Sequence, residues 1–322
     1  MDELKNEKPH SKISLATEFE QGYKSTGFES RIERYARAKK VALSTYYYMK
    51  NDLPQSNDVR KKSLRLKNCG SYLIFHNYYT EGEIKLAYAS LCDYSLLCPL
   101  CAIRRGARMV NKYLDRYRHI IDSDGSQRPY MVTLTVKDGD NLQERFNHLQ
   151  NSVKKFHKGR HRLHGDCEAR KAVSAVWSYE VKRGANSKSW HPHVHAVWLC
   201  NEKPDQRALS EQWKNITGDS YIVDVRPINS NSPESGFLEV FKYALKFSEQ
   251  SPNDTYNCFK SLSGRRLIGS FGDFRGITDD ALTTDVLTDD MPYIEMLFKY
   301  SGHRYSISKT RSEFDALLDS EI

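Results

Sequence analysis

A chain of 322 residues, 39% of them hydrophobic, is long enough to bury a sizeable core as one main domain with smaller attachments. Lys and Arg number 49 against 41 Asp and Glu, a formal charge of +8 that suits a polyanionic partner without establishing one. The opening MDELKNEKPH is charged and lacks an apolar core, and no run of about 18 apolar residues occurs, so neither a signal peptide nor a membrane span is expected and the cytoplasm is the expected location.

The first sixty residues are polar, with one helical stretch in which Ile32, Tyr35, Ala36, Leu43, Tyr46 and Tyr47 recur at helical spacing. Asn51 to Asp58 reads as a linker. "SYLIFHNYY" and "IKLAYAS" read as strands, and a helix is expected after Cys101 with Ala107, Val110, Leu114, Tyr117 and Ile121 on one face. "RPYMVTLTV" is a strand. Leu142, Phe146, Leu149, Val153 and Phe156 mark a second amphipathic helix that runs into the basic "KKFHKGRHRLHG". "AVSAVWSYEVK" and "WHPHVHAVWL" form a hairpin through Gly184 to Ser189, a helix opens near Glu211, "SYIVDVRPI" is a strand, and "PESGFLEVFKYALKFSE" is a helix with Phe237, Phe241, Ala244 and Leu245 inward. This order, without a GxGxxG fingerprint, predicts an α+β fold with helices covering one side of a sheet.

Seven cysteines in a reducing compartment point to metal rather than to a disulfide framework. Cys69, Cys92, Cys98 and Cys101 follow the spacing Cys-x22-Cys-x5-Cys-x2-Cys, and four thiolates could close a tetrahedral structural Zn2+ site. The alternatives are buried cysteines with a chance CxxC, or a redox pair, which lacks the βαβ context it would need. Arg104, Arg105 and Arg108 follow on the next helix and either meet DNA phosphates or form a solvated face.

In "HPHVH" the side chains of a strand alternate, so His191, His193 and His195 share one face while Val194, Ala196 and Trp198 take the other. The preceding strand places Ser174, Ser178 and Glu180 opposite its apolar face, and "MVTLTV" does the same with Thr133 and Thr135. Neighbouring strands of this kind give a greasy helix-covered face and a polar face holding a divalent metal, with His193 and His195 as ligands and Glu180 or His191 completing the set. On the following helix Glu239 and Tyr243 are four apart, as are Lys242 and Lys246. A lysine or a metal field can favour the phenolate of Tyr243 as a nucleophile toward phosphorus, and a glutamate beside it can activate water.

Thr133-Leu134-Thr135, then His193-Val194-His195, then "KYALK" from Lys242 to Lys246, taken in this order, resemble the three motifs of rolling-circle replication initiator proteins of small bacterial plasmids, members of the HUH endonuclease superfamily. "LLCPLC" followed by Arg104-Arg105, and "GRRLIGSFG", are similar to the same family, so the likeness runs from roughly Cys69 to Gly276. It implies a ferredoxin/RRM-like antiparallel sheet with helices on one face and a catalytic Mg2+ or Mn2+ on its central strands. It implies sequence-specific nicking and rejoining of one origin DNA strand, single-stranded at the cleavage site, through a 5′-phosphotyrosine, with the free 3′-hydroxyl priming synthesis. In that scheme His193 and His195 are ligands, Tyr243 is the nucleophile, Glu239 directs water at termination and Glu180 takes the place of an upstream polar ligand; by helical spacing Lys246, a turn beyond the tyrosine, is expected to assist it, and Lys242 is expected to meet DNA. A host helicase and polymerase are the implied partners, and a homodimer is left open.

No second tyrosine accompanies Tyr243, since residues 239, 240, 246 and 247 are Glu, Val, Lys and Phe, which suits a single-tyrosine initiator. The organisation expected is a helical, partly flexible segment 1–60, a four-cysteine zinc-binding segment 61–112, the endonuclease domain 113–276 and a C-terminal extension 277–322 without an interpretable motif. Rival readings are a transposase of the same superfamily, a histidine-triad nucleotide hydrolase, which leaves Tyr243, Glu239 and the cysteines unexplained, and a non-catalytic zinc protein binding DNA through the helix after Cys101.

Overall fold

The computed structural model describes residues 27–161, 167–184, 186–242, 247, 250–277 and 293–312. Tyr243 and Lys246, with Ala244 and Leu245, lie outside the described residues. The described chain is an α+β fold whose strands pair antiparallel throughout. It falls into two compact units.

Among the described residues the smaller unit takes 27–40, Gly70–Ser90 and the C-terminal strands. Its sheet contains β1 (Tyr72–Tyr78), β2 (Glu83–Ala89), β8 (Ile294–Ser301) and β9 (Arg304–Ser312) in the order β2-β1-β8-β9. Leu73 and Phe75 of β1, Leu86, Met296 and Phe298 share one face, as their spacing of two requires, and bury against Phe28 and Ala36 of α1 (Phe28–Asn51). Phe28 meets Phe75 edge-on with ring centroids 5.0 Å apart. The strands read from "SYLIFHNYY" and "IKLAYAS" pair with each other and group with strands from the stretch that showed no motif.

The larger unit takes Val41–Cys69 and the chain from Leu91 onward to the end of the second sheet. Its elements are α2 (Asn57–Asn68), α3 (Pro99–Ser123), β3 (Arg128–Thr135), α4 (Leu142–Gly159), β4 (Ala172–Arg183), β5 (Trp190–Cys200), α5 (Gln206–Thr217), β6 (Val223–Pro227), α6 (Glu234–Phe241), α7 (Pro252–Leu262) and β7 (Ile268–Phe271). The sheet order is β6-β3-β5-β4-β7, so the long hairpin of β4 and β5 lies at its centre.

Both faces of this sheet carry helices, which corrects the expectation of one covered face. Val132, Leu134, Ala175, Tyr179, Val194, Ala196 and Trp198 pack on Phe146, Leu149, Val153 and Phe156 of α4, with Leu209 and Trp213 of α5 and Leu262 of α7 beside them. On the reverse face Met131, Val176, Val197 and Leu199 pack on Met109, Tyr113 and Tyr117 of α3 and on Phe237, Val240 and Phe241 of α6. Strands buried on both faces should read as near-continuous apolar runs, and the ends of β3 to β5 nearest Thr135, Glu180 and His193 break that pattern.

Helix α3 begins at Pro99, between the last two cysteines, because proline suits the first helical turn; it does not wait for Cys101. Its buried stripe runs through Ala102, Gly106, Met109, Tyr113, Tyr117 and Ile120, while Ala107 is exposed. Two helices were missed although their caps are legible. Ser56 accepts from the Val59 N–H to open α2, and Ser251 accepts from the Asp254 N–H ahead of Pro252 to open α7.

Candidate metal centre

The register of the central hairpin sets Glu180 of β4 directly opposite His193 of β5, and Ser178 opposite His195. On the other side of β5, Thr133 pairs with His195 and Thr135 with His193. Alternation then turns Glu180, His193 and His195 to the same face. The Glu180 Oε2 atom lies 3.6 Å from Nε2 of His193 and 3.4 Å from Nε2 of His195, and the carboxylate is 3% exposed.

The remaining imidazole nitrogens are already engaged. Nδ1 of His195 is 3.1 Å from Thr133 Oγ1, and Nδ1 of His193 is 3.4 Å from the carbonyl oxygen of His191. Nδ1–H donation to those oxygens when a cation is bound would turn both Nε2 lone pairs to it, the tautomer that a metal ligand requires. One ligand atom from each of the three residues falls within 4.8 Å of the others, so the donor set fits a small divalent cation with positions left for other ligands. His191 does not join them: its Nδ1 faces the Asp138 carboxylate.

Burial acts to raise the Glu180 carboxyl, but the two imidazoles bonded to it outweigh burial and hold it well below the usual carboxylate range. Burial lowers His193, which favours the neutral imidazole that coordinates metal. The site therefore sets an anionic oxygen beside the neutral imidazole of His193.

Helix α6 brings a fourth group. Ser178 Oγ–H donates to the Val240 carbonyl and ties the helix to β4. Phe237, Val240 and Phe241 are buried, and the intervening Glu239 is left with Oε1 3.9 Å from His195 Nε2 and its side chain 46% exposed. Gly106 of α3 allows this packing, since a Cβ there would lie 2.5 Å from the carbonyl oxygen of Phe241. Arg104, Arg105 and Arg108 are half-buried rather than a fully solvated helix face, and Arg105 lines the recess beside Val240 and Phe241. Lys242 is the residue that ends α6. The expected pairing of Glu239 with Tyr243 reaches outside the described residues.

The four cysteines named from their spacing converge in the larger unit. Sγ of Cys69 is 3.4 Å from that of Cys98 and 3.6 Å from that of Cys101, and Cys92 and Cys101 are 3.6 Å apart. A tetrahedron of Zn–S bonds of about 2.3 Å has S···S edges of about 3.8 Å, so the cluster is close to the size zinc needs and far wider than a disulfide. Thiols of Cys69, Cys92 and Cys98 hydrogen-bonded to Cys101 hold it well below the usual thiol value, while the same bonds push Cys92 and Cys98 up. Asp93, in the left-handed region at φ 62°, turns its backbone N–H toward Cys101.

Thr133, Ser178 and Gly106 were not singled out as functional from sequence. The first belongs to the "TLT" motif and the last follows Arg105, so their signals were present but silent about role.

A family model for replication proteins matches residues 83–297, well over half of the chain. The chain belongs to this replication protein family. The matched span contains Glu180, His193, His195, Glu239 and three of the four clustered cysteines. Among curated proteins, the chain is 21% identical over 258 residues to "Protein rep" of Lactiplantibacillus plantarum, covering 73% of this chain and 79% of that one. No solved structure matches it. Membership of the replication protein family supports the initiator reading of the ordered motifs. Among the described residues no helix is long and apolar enough to cross a membrane.

Proposed function

We propose that the protein is a plasmid rolling-circle replication initiator of the HUH type, a metal-dependent enzyme that nicks one origin strand and later rejoins it. The observation that carries this reading is the convergence of Glu180, His193 and His195 on the central strands, with Glu239 beside His195, in a replication protein. Residues 113–276 are the nuclease domain in this reading, ferredoxin/RRM-like at the sheet, and the four-cysteine segment holds Zn2+ as structural support.

Glu180, His193 and His195 would hold Mg2+ or Mn2+, which when bound supplies Lewis-acid polarisation of the scissile phosphate. The phenol of Tyr243 gives up its proton to solvent and its oxygen attacks phosphorus, a new P–O bond forms to the 5′-phosphate as the bond to the 3′-oxygen breaks, and the leaving 3′-oxygen takes a proton from solvent, so the phosphodiester energy is kept in the tyrosyl ester. Lys246 favours the phenolate. Glu239, exposed to solvent, accepts a proton from the water that hydrolyses the ester at termination. Arg104, Arg105, Arg108 and Lys242 contact strand phosphates, and the helicase and polymerase act on the primed origin, with a homodimer as the assembly to be tested.

The test is nicking of supercoiled plasmid carrying the origin, with Mg2+ or Mn2+ and with chelator, for wild type, Tyr243→Phe and His193→Ala. Metal-dependent open circles with protein on the 5′ end, absent from both variants, are expected. A variant that nicks like wild type would remove its residue from the mechanism.

A further inference from the structure

Two motifs left unused by the metal centre, the basic run that closes α4 and "GRRLIGSFG", meet at one cleft of about 380 Å3. Lys154 and His157 of α4, Trp177 of β4, and Arg265, Arg266 and Gly269 at β7 line it, and among the described residues no acidic side chain does. The guanidinium groups bond to neutral acceptors. Arg265 Nη1 donates to Asn147 Oδ1 at 2.6 Å and to Gln150 Oε1 at 3.3 Å, and Arg266 Nε donates to the Ile268 carbonyl at 3.0 Å. Their charge is positioned without being neutralised there.

The aromatic wall is built as deliberately as the cationic rim. Trp190, Trp198 and Trp213 are 5%, 1% and 0% exposed, whereas Trp177 is only half-buried and reaches the cleft. Gly269 makes room for it, because a Cβ there would sit 2.2 Å from Cζ2 of the indole. His157 lies 4.3 Å from the indole, centroid to centroid, and burial, aided by Arg160, pushes it down to about 4, so it is a neutral hydrogen-bonding group. Arg160 itself stacks on Phe271 at 3.6 Å and extends the cationic rim along β7.

We propose that this cleft binds a nucleotide of single-stranded DNA, with Trp177 stacking on the base and Lys154, Arg265 and Arg266 holding its phosphates. A purely apolar ligand would have no use for three cations without acids around an indole, and a duplex keeps its bases stacked inside and offers none to a cleft of this size. Trp177 precedes Glu180 by three residues on β4, so it stands on the opposite face about 10 Å along the strand. β7 ends the sheet, so a DNA strand leaving the metal face reaches the cleft by crossing that edge. The inference rests on the nicking reading only for the source of the strand.

Full-length protein in chelator is titrated by tryptophan fluorescence with a short mixed-sequence single strand, its duplex, deoxyadenosine monophosphate and inorganic phosphate. Saturable quenching by the single strand is expected, with loss of that quenching in Trp177→Phe. The double variant Lys154→Ala/Arg266→Ala should bind roughly tenfold more weakly, with a salt slope reduced by about one per cation removed. Quenching that persists in Trp177→Phe, unchanged affinity in the double variant, or tighter binding of the duplex would overturn the proposal. Phosphate or the monophosphate binding as tightly as the strand would do so too, by assigning the cleft to a free anion or free nucleotide. Should Trp177→Phe fail to fold, the double variant at two exposed side chains decides alone. Glu180→Ala should lose nicking yet keep the quenching, so failure of the nuclease reading and failure of this one are separable.

Discussion

The Glu239 carboxylate stands 3.9 Å from Nε2 of His195, though one residue belongs to helix α6 and the other to strand β5. What joins them is the hydrogen bond from Ser178 to Val240, one residue beyond Glu239, which pins the helix over the strand that carries Glu180. In the proposed mechanism this half-exposed carboxylate, at the edge of the residues that would hold the metal, meets water while remaining next to the reacting phosphate.

Glu239→Ala is therefore expected to nick origin DNA near the wild-type rate and to lose hydrolytic release at termination, so that protein-bound DNA accumulates. Measuring nicking and release on the same substrate separates the two steps. Equal loss of both would make Glu239 a ligand or a nicking residue instead.

Thr133→Val removes the oxygen that orients His195 while keeping the volume of the side chain. Loss of such an outer partner typically weakens metal binding by about 10–100-fold. Calorimetric titration with Mn2+ should show that loss with little change in thermal stability, and an unchanged affinity would mean that Thr133 does not set the tautomer.

One zinc per chain is expected in protein purified without chelator, released only after thiol modification. Cys92→Ser should lower the zinc content and the Tm together, because binding to a site assembled by folding contributes to folding stability. A metal assay showing no zinc in the wild type would refute the assignment.

His157 gives the fold an acid sensitivity of definite sign. Its folded value of about 4 lies below the ordinary 6.5, because burial against Trp177 and Phe271, and then Arg160, disfavour the imidazolium. As pH falls through 6.5 the unfolded chain takes up the proton first, so stability is lost between pH 6.5 and about 4 and is unaffected above that window. The loss at pH 5 is about 2 kcal/mol. Denaturant unfolding of His157→Phe at pH 7 and pH 5 should show a smaller difference than wild type; an identical difference would place the acid sensitivity elsewhere.

Much of the sheet was legible because its strands alternate cleanly. Val132, Leu134 and Val136 against Thr133 and Thr135, and Val194, Ala196 and Trp198 against three histidines, show their faces in a single strand's sequence. The second helical layer was not legible, since Val176, Val197 and Leu199 continue the apolar character of β4 and β5 on the histidine face, and only their contacts with α3 and α6 reveal why. The smaller unit was missed for another reason. β1 pairs with β8, a partner more than two hundred residues away, and no local signal reports a pairing across that distance.

From the sequence alone came the chemistry available: a strand that must turn His193 and His195 to one side, a Glu180 that its own strand turns to its polar face, and four cysteines at metal-binding spacing. Side-chain direction along a strand is a local property with a period of two, so one segment suffices to read it. Only the tertiary structure shows that Glu180 rather than His191 gathers with the two histidines, because that depends on the register of β4 against β5 and on Asp138 drawing His191 away. The place of Glu239 beside His195 likewise comes from helix packing, which Gly106 and Ser178 control by contact rather than by pattern.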